Sequence, residues 1–332
     1  MIGDALAGTR IIDFSTLLPG PLATLYLAEA GASVLKIEPP GGEEMRRFPP
    51  FLKDGPYKGQ GACYRLLNRG KEIREIDLKE SGAVTVLRPE IENADILVEQ
   101  FRPGVMDRLG LGYDAVRAIN PGIIYCSITG YGQTGPNAPR AGHDITYMAE
   151  SGVLGLTAGQ GGHPIVPPVL AADIAGGTYP AVMQIALALI KRGRTGEGVH
   201  IDISMTDNLL PFAWWAIAIG AATGTVPKAG DWILNGGSPR YAIYPTRDGR
   251  AIAVGALEEK FWQAFCDAIG LSHDLRRDRD TPDATRAGVA SLIAARTADE
   301  WREPLAAADC CCAVVEDLAD IFPAELPDSL FR

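Results

Sequence analysis

Three short segments hold the residues best suited to chemistry: Ala141 to Ile145 with His143, Leu170 to Gly177 with Asp173, and Gly255 to Glu258 with Glu258. Each sets a titratable side chain among small or apolar residues, surroundings that shift a pKa and fix a direction. One group that takes a proton and another that returns one are the minimum for moving a proton between the faces of a carbon. Asp173 stands at the start of an apolar helix. It reads either as a carboxylate beside free backbone N–H groups or as an N-cap. Ala171, Ala172, Ala175, Gly176 and Gly177 leave room for something to come close to the backbone. His143 is one of four histidines; it precedes Asp144, which is placed to orient it or pair with its charge. His163, His200 and His273 stand in loop-like or surface-like settings. Glu258 lies with Glu259 at a helix start, where the dipole alone favours carboxylates.

The elements that must carry these residues follow from the apolar pattern. Thr9 to Phe14 reads as a buried strand, Leu22 to Ala30 as a helix after the break at Pro19-Gly20-Pro21, and Ala32 to Glu38 as a second strand. Strand, helix, strand in so short a span is a βαβ unit with parallel pairing. A Gly/Pro-rich loop follows from Pro39 to about Gly61, a length common in functional loops. Ile73 to Leu78, Ala94 to Val98 and Ile123 to Thr129 read as further strands. Asn68 to Lys71, Arg102 to Gly104 and Gly130 to Pro136 stand at strand ends; open α/β sheets bind ligands beside the carboxyl ends. No Gly-x-Gly-x-x-Gly follows the first strand, which excludes a nicotinamide site. Asp173 to Lys191 reads as a long apolar helix, Val199 to Ser204 as a strand and Met205 to Gly224 as a mostly apolar, buried helix. Beyond a connector at Pro227 to Pro239, Tyr241 to Tyr244 and Ala251 to Val254 flank a turn and read as a hairpin. Helices at Glu258 to Ile269, Thr285 to Ala295 and Ala298 to Ala308, and a strand at Cys311 to Val315, complete a second domain. The expected fold class is α/β. A large Rossmann-like parallel-sheet domain covers 1–204, a linker helix and loop 205–240, a smaller α+β domain 241–324, and a short C-terminal end 325–332.

Composition narrows the partners. The chain has 332 residues, is 47% hydrophobic and carries a formal charge of −10, enough for a sizeable core. It has no block of Lys and Arg, so no nucleic-acid partner is expected. Arg46-Arg47 and Lys191 to Arg194 are the densest basic spots, and the second suits a helix C-terminus. The most apolar stretch, Leu209 to Ala222, is too short for a membrane span, and no basic region leads into an apolar core at the N-terminus. No membrane partner is expected. The six cysteines, Cys63, Cys126, Cys266 and Cys310 to Cys312, form no Cys-x-x-Cys pair. A metal site is therefore not expected, and a reduced, cytoplasmic protein is. Cys311 reads as a small apolar filler in a strand, with a nucleophile as the alternative.

Six motifs then carry a resemblance over nearly the whole length: Leu18-Pro19-Gly20-Pro21, Gly31 to Pro39, Asn68-Arg69-Gly70-Lys71, Ile76 to Lys79, Phe101 to Val105 and Thr129 to Pro136. Together they resemble the class III CoA-transferase superfamily, also called CaiB/BaiF. Within it, Asp173 matches the aspartate that is a nucleophile in transferases and a base in α-methylacyl-CoA racemases. His143 stands where transferases tend to have a tyrosine, and Gly255-Ala256-Leu257-Glu258 is similar to the racemase segment whose glutamate hydrogen-bonds the histidine. The resemblance thus implies proton transfer at the α-carbon of 2-methyl-branched acyl-CoA thioesters through an enolate. His143 and Asp173 would move the proton and Glu258 would support His143 across the interface of an interlocked homodimer. The helix start at Asp173 would be the oxyanion hole. No cofactor is implied, since coenzyme A is part of the substrate. Arg108 resembles the family's phosphate or adenine contact, with Arg69 and Lys71 as neighbours. Lys36 or Arg46 would replace the basic residue that racemases carry where Pro39 stands. Met205, Trp214, Trp215 and Trp232 are acyl-pocket or plain core residues. Two rivals stay open. One is a CoA-transferase with Asp173 as nucleophile. The other is a non-catalytic CoA-binding protein, since family members usually continue past the point where this chain stops.

Overall fold

Apolar runs fully buried on both faces dictate a parallel sheet. Every residue of two strands, Ile96–Glu99 and Ile124–Thr129, is buried. The structure, a computed structural model, describes residues 3–157 and 163–322; the expected C-terminal end at 325–332 lies outside them. The described residues form two compact units, the first built from the stretch up to Ser151 and from Pro167–Ala213. The second takes Gly152–Val166 and the stretch from Trp214 onward. The expected linker 205–240 is therefore shared, with 205–213 in the first unit and 214–240 in the second.

In the first unit β1 (Arg10–Asp13), α1 (Pro19–Glu29) and β2 (Ser33–Glu38) form the expected βαβ start. The chain continues through α2 (Ala62–Asn68), β3 (Glu72–Glu75), α3 (Ala83–Asn93), β4 (Ile96–Glu99), α4 (Val105–Arg108), α5 (Tyr113–Ile119), β5 (Ile124–Thr129) and α6 (Asp144–Glu150). A wide, π-helical turn at Ala172–Thr178 leads into α7 (Tyr179–Thr195), and β6 (Val199–Ser204) follows. The sheet order is β3-β2-β1-β4-β5-β6, with every pair parallel. The order reverses between β1 and β4, and that crevice is where such sheets bind ligands. Ile12, Leu35, Leu97 and Tyr125 of the sheet pack with Leu87, Ile91 and Val116 of the helices that cover it.

The expected basic helix end is real: Arg192 closes α7 by an ion pair to Asp95 at 2.7 Å and reaches the carbonyls of Asp95 and Gly122. The single buried helix expected at Met205 to Gly224 is not. A 3-10 stretch at Asp207–Ala213 precedes α8 (Trp214–Thr223), and Phe212, Trp214 and Ile217 are exposed. Pro211 lies inside the stretch and removes an N–H donor, which accounts for the break. The 24 residues Ala172–Thr195 are long and apolar enough to cross a membrane by length and composition. Their inner row is buried within the first unit at Ala181, Ile185 and Ala188.

The second unit holds the hairpin β7 (Tyr241–Pro245) and β8 (Ala251–Gly255), then α9 (Glu259–Ile269), α10 (Pro282–Ile293), α11 (Ala298–Ala308), β9 (Cys312–Val314) and α12 (Leu318–Ile321). The three strands pair antiparallel in the order β7-β8-β9. Trp262, Phe265, Val289, Ile293 and Trp301 make its core with Ile252 and Val254. Cys311 is not a strand filler: it is exposed, stands one residue before β9, and adopts φ 56°.

Candidate active site

The loops that leave the carboxyl ends of β1, β4, β5 and β6 enclose a cavity of about 530 Å³ in the first unit. Thr16 and Leu17 come from the first loop, Phe101 and Arg102 from the second, Thr129 and Gly130 from the third, and Met205 from the fourth. Leu17 has φ 62°, a left-handed conformation that is strained for a branched side chain and that turns the chain sharply into α1. His143 and Asp173 face this same cavity from two separate segments. The placement agrees with the switch-point rule, with β1 and β4 supplying its first two walls.

His143 sits at the entry of α6, and Thr146 closes the turn: its hydroxyl accepts the His143 N–H at 2.9 Å. Asp144 does not turn toward the histidine, as the sequence suggested. Its buried carboxylate accepts the backbone N–H of Asp173 at 2.9 Å and so ties the two segments together. Burial, helped by the Asp144 charge and opposed by His143, pushes the Asp173 carboxyl up to about 6. A group poised there exchanges a proton readily near neutral pH.

Three expectations about the Asp173 helix need correction. Asp173 is no N-cap; Ala171 takes that place and Asp173 lies within the π-helical turn. The helix start is not an open oxyanion hole, because Asp173 N–H is given to Asp144 and Ile174 N–H to the Leu170 carbonyl at 3.0 Å. The glycines admit the protein itself: a Cβ on Gly176 would overlap the Met205 carbonyl, and one on Gly177 would press on Pro19 and Met205. Thr178 completes the contact by donating to the Pro19 carbonyl at 2.8 Å. The wide turn, a form found often at functional sites, is thus clamped between α1 and the end of β6.

Tyr147 is the residue that binds this wall together. Its buried ring lies where Cβ atoms of Gly130 and Gly142 would be, and its edge meets the Tyr131 ring at 5.3 Å between centroids. Burial and the nearby Asp173 charge push the phenol up to about 12, so it stays protonated. Under the β1 loop lies a cluster of buried charges. Asp13 accepts from Ser15 N–H at 2.8 Å, from the Ser15 hydroxyl, from Thr24 at 2.6 Å and from Lys71 at 3.2 Å. Burial would raise Asp13, but Lys36, Lys71 and the two hydroxyls outweigh it and hold the carboxyl at about 2. Burial pulls Lys71 down to about 8, with Asp13 opposing.

That cluster corrects two of the expected coenzyme A contacts. The side chains of Lys36 and Lys71 are 0% exposed. Lys36 donates to the Ser15 carbonyl at 2.6 Å and pairs with Glu43 at 3.3 Å; Lys71 donates to the Pro21 carbonyl and Thr24, both at 2.8 Å. Both hold the loop beneath the cavity and have no surface to offer a ligand. Arg46 is held by Glu38 at 2.6 Å, and Arg69 by Glu29 and the Leu66 carbonyl. Arg108, at the end of α4, is exposed and forms no ion pair among the described residues. Glu258 belongs to the second unit, exposed and immediately before α9, with no side-chain hydrogen bond among the described residues. Of the apolar candidates, Met205 is buried and lines the cavity, whereas Trp214 is 65% exposed.

Reading residues alone missed Arg102, Arg140 and Glu99. Arg102 and Arg140 line the cavity; Arg140 is bound to Glu150 at 2.6 Å, and Arg102 forms no ion pair among the described residues. The loop after β4 was the available signal for Arg102. Glu99 ends β4 and accepts the Phe101 N–H at 2.8 Å, and burial lifts it to about 7; a lone glutamate in an apolar strand carried no such sign. No group of three or more metal-ligating residues occurs among the described residues.

A family model described as CoA-transferase family III matches residues 6–327. The chain is 34% identical to the alpha-methylacyl-CoA racemase of Homo sapiens, covering 92% of this chain and 76% of that protein. It is also 34% identical to the acetyl-CoA:oxalate CoA-transferase of Acetobacter aceti, covering 98% and 84%. A crystal structure of a CaiB/BaiF family protein from Brucella suis superposes with a TM-score of 0.82 at 30% identity, covering 96% of this chain and 86% of that one. The chain belongs to CoA-transferase family III.

Proposed function

We propose that this protein is an acyl-CoA racemase that moves the α-proton of 2-methyl-branched acyl-CoA thioesters from one face to the other. The observation that carries the reading is that His143 and Asp173 face one cavity from two separate segments. An imidazole and a carboxyl held near pKa 6 form a pair in which either member takes a proton while the other returns one. Removal of the proton leaves an enolate whose oxygen needs positive surroundings. Arg102 supplies charge to the cavity in place of the expected helix-start N–H groups. Glu258 is the third residue of the proposal, as a carboxylate that supports His143 across the interface of the proposed homodimer. Arg108 and Arg69 remain the proposed contacts for coenzyme A.

CoA transfer is the second reading, favoured by the equal identity to the Acetobacter aceti transferase. It uses the Asp173 carboxylate as nucleophile and gives His143 no task. The proposal also includes a homodimer, supported by the outward row Tyr179, Met183, Leu187 and Ile190 of α7. These residues recur at helical spacing and are all more than half exposed, an apolar stripe of the kind that marks an interface.

The deciding experiment supplies a single-enantiomer 2-methylacyl-CoA in heavy water with no acceptor acid. The expected result is deuterium at the α-carbon with loss of optical purity, abolished by His143→Gln. Absence of exchange, with coenzyme A passing to an added carboxylic acid in wild type and His143→Gln alike, overturns the racemase reading in favour of the transferase. Inactivity in both assays favours the non-catalytic one.

A further inference from the structure

Glu258 is the N-cap residue of α9: its backbone is extended (φ −75°, ψ 145°), as an N-cap's usually is, but its side chain makes no cap hydrogen bond. Something other than capping therefore holds this residue in place. Its backbone carbonyl accepts the Trp262 N–H at 2.9 Å, and the turn before it is closed by Leu257 N–H to the Gly255 carbonyl at 2.9 Å.

A guanidinium restrains the residues on both sides of Glu258, and Gln263 Nε2 adds a second donor to the Glu259 carboxylate at 2.8 Å. Arg240 is 8% exposed and precedes β7. Its Nε and Nη2 grip Asp278 in a fork at 2.9 and 2.7 Å. Nη2 also donates to Glu259 at 2.8 Å, and Nη1 to the Leu257 carbonyl at 3.3 Å. The group lies 5.0 Å from the Trp262 ring centroid. The residues on both sides of Glu258 are thus bonded to one rigid fork, which is itself anchored by a buried aspartate and an aromatic face.

We infer that Arg240 is a positioning residue for Glu258: by holding the carbonyl before it and the carboxylate after it, the guanidinium fixes where the Glu258 side chain leaves the backbone. The inference rests on the reading that Glu258 takes part in the reaction. Lysine cannot substitute fully, because one ammonium lacks the planar fork that serves Asp278, Glu259 and Leu257 together. Displacement of a working group by about 1 Å lowers turnover roughly a hundredfold.

The test compares the full-length protein with Arg240→Met, Arg240→Lys, Glu258→Gln and the double variants. It measures α-proton exchange in heavy water and amide hydrogen exchange at Trp262. Arg240→Met is expected to lower kcat between about tenfold and a hundredfold with KM little changed. Arg240→Lys should fall between Arg240→Met and wild type. The Arg240 effect should vanish when Glu258 is already Gln, because the lost positioning has nothing left to act on. The Trp262 amide should exchange faster while the β7–β8 amides keep their protection. Arg240→Lys carries the test if Arg240→Met does not fold. Multiplicative effects of the Arg240 and Glu258 changes, or an unchanged Trp262 amide, overturn the inference. If Glu258→Gln leaves α-proton exchange untouched, the role in the reaction is overturned through Glu258, and the Trp262 amide still reports separately whether Arg240 holds the segment.

Discussion

Replacing Asp173 by asparagine should make the protein more stable while removing its activity. The carboxyl moves from an ordinary 3.8 to about 6 on folding because burial and the Asp144 charge disfavour its ionised form. This is the reverse of a salt-bridged aspartate, so the sign runs the other way. Below about pH 4 both states hold the proton and the site is neutral to stability. Between about pH 4 and pH 6 the unfolded chain ionises while the folded one does not, so the folded state binds more protons and stability falls as pH rises. Above that window the full difference applies: 6 minus 3.8, each unit worth 1.36 kcal/mol, is about 3 kcal/mol. Asp173 is half-buried and keeps some water, so a gain of about 1 to 3 kcal/mol is the expected range for Asp173→Asn at neutral pH. An amide keeps the shape and removes the charge beside Asp144. The assay is urea unfolding of both proteins across the acid-to-neutral range, with Asp173→Asn gaining stability over wild type through the window and holding the gain above it. A variant no more stable than wild type at about pH 8, or a difference that does not change with pH, would refute the reasoning.

Asp144→Asn keeps an oxygen for the Asp173 N–H but removes the like charge, so the acid limb of the pH–rate profile should move to lower pH. Gly142→Ala places a methyl into the Tyr147 ring and should cost about 1–3 kcal/mol and much of the activity, seen as a lower thermal midpoint. Trimming the ring in Gly142→Ala with Tyr147→Leu should recover part of the stability. Lys71→Met leaves the Asp13 carboxylate with only Lys36, Ser15 and Thr24 and should cost about 1–3 kcal/mol in urea unfolding. The pair Lys71→Met with Asp13→Asn should recover most of that, since no charge is left unmatched.

The sheet was legible because most of its strands are apolar runs, with β6 alternating, and are punctuated by Gly and Pro, so β1, β2, β4, β5 and β6 fell within a residue or two of expectation. Asp173 and His143 were legible as titratable groups in small, apolar surroundings, and the loops after β4 and β5 as walls only through the switch-point rule. What was illegible depended on partners distant in the chain. Nothing local to Lys71 says that its ammonium will be consumed by Pro21, Thr24 and Asp13, and a lysine in a loop after a glycine reads as surface. Gly176 and Gly177 advertise space, but the space is taken by Met205 and Pro19, which a one-dimensional reading cannot see. The outward side of α8 failed for a related reason. A helix apolar all round reads as buried, whereas Trp214 and Ile217 are left uncovered by the single chain.

The local penalties and the buried charges belong to one arrangement. Leu17 is strained and Asp173 is held above its ordinary pKa, and both face the cavity. Neither persists unless its surroundings over-determine it. For Leu17 the restraint is the Asp13 cluster: Asp13 fixes the Ser15 N–H and hydroxyl while Lys36 fixes the Ser15 carbonyl, so the residue two before the strained one has no freedom left. For Asp173 the restraint is the clamp of the π-helical turn by Met205, Pro19 and Thr178, together with the N–H held by Asp144. Asp144 therefore acts in two opposing ways, fixing the backbone of Asp173 through a hydrogen bond while making its side chain harder to ionise. The proposed proton transfer needs both, because an unfixed carboxylate would turn to solvent and recover its ordinary acidity.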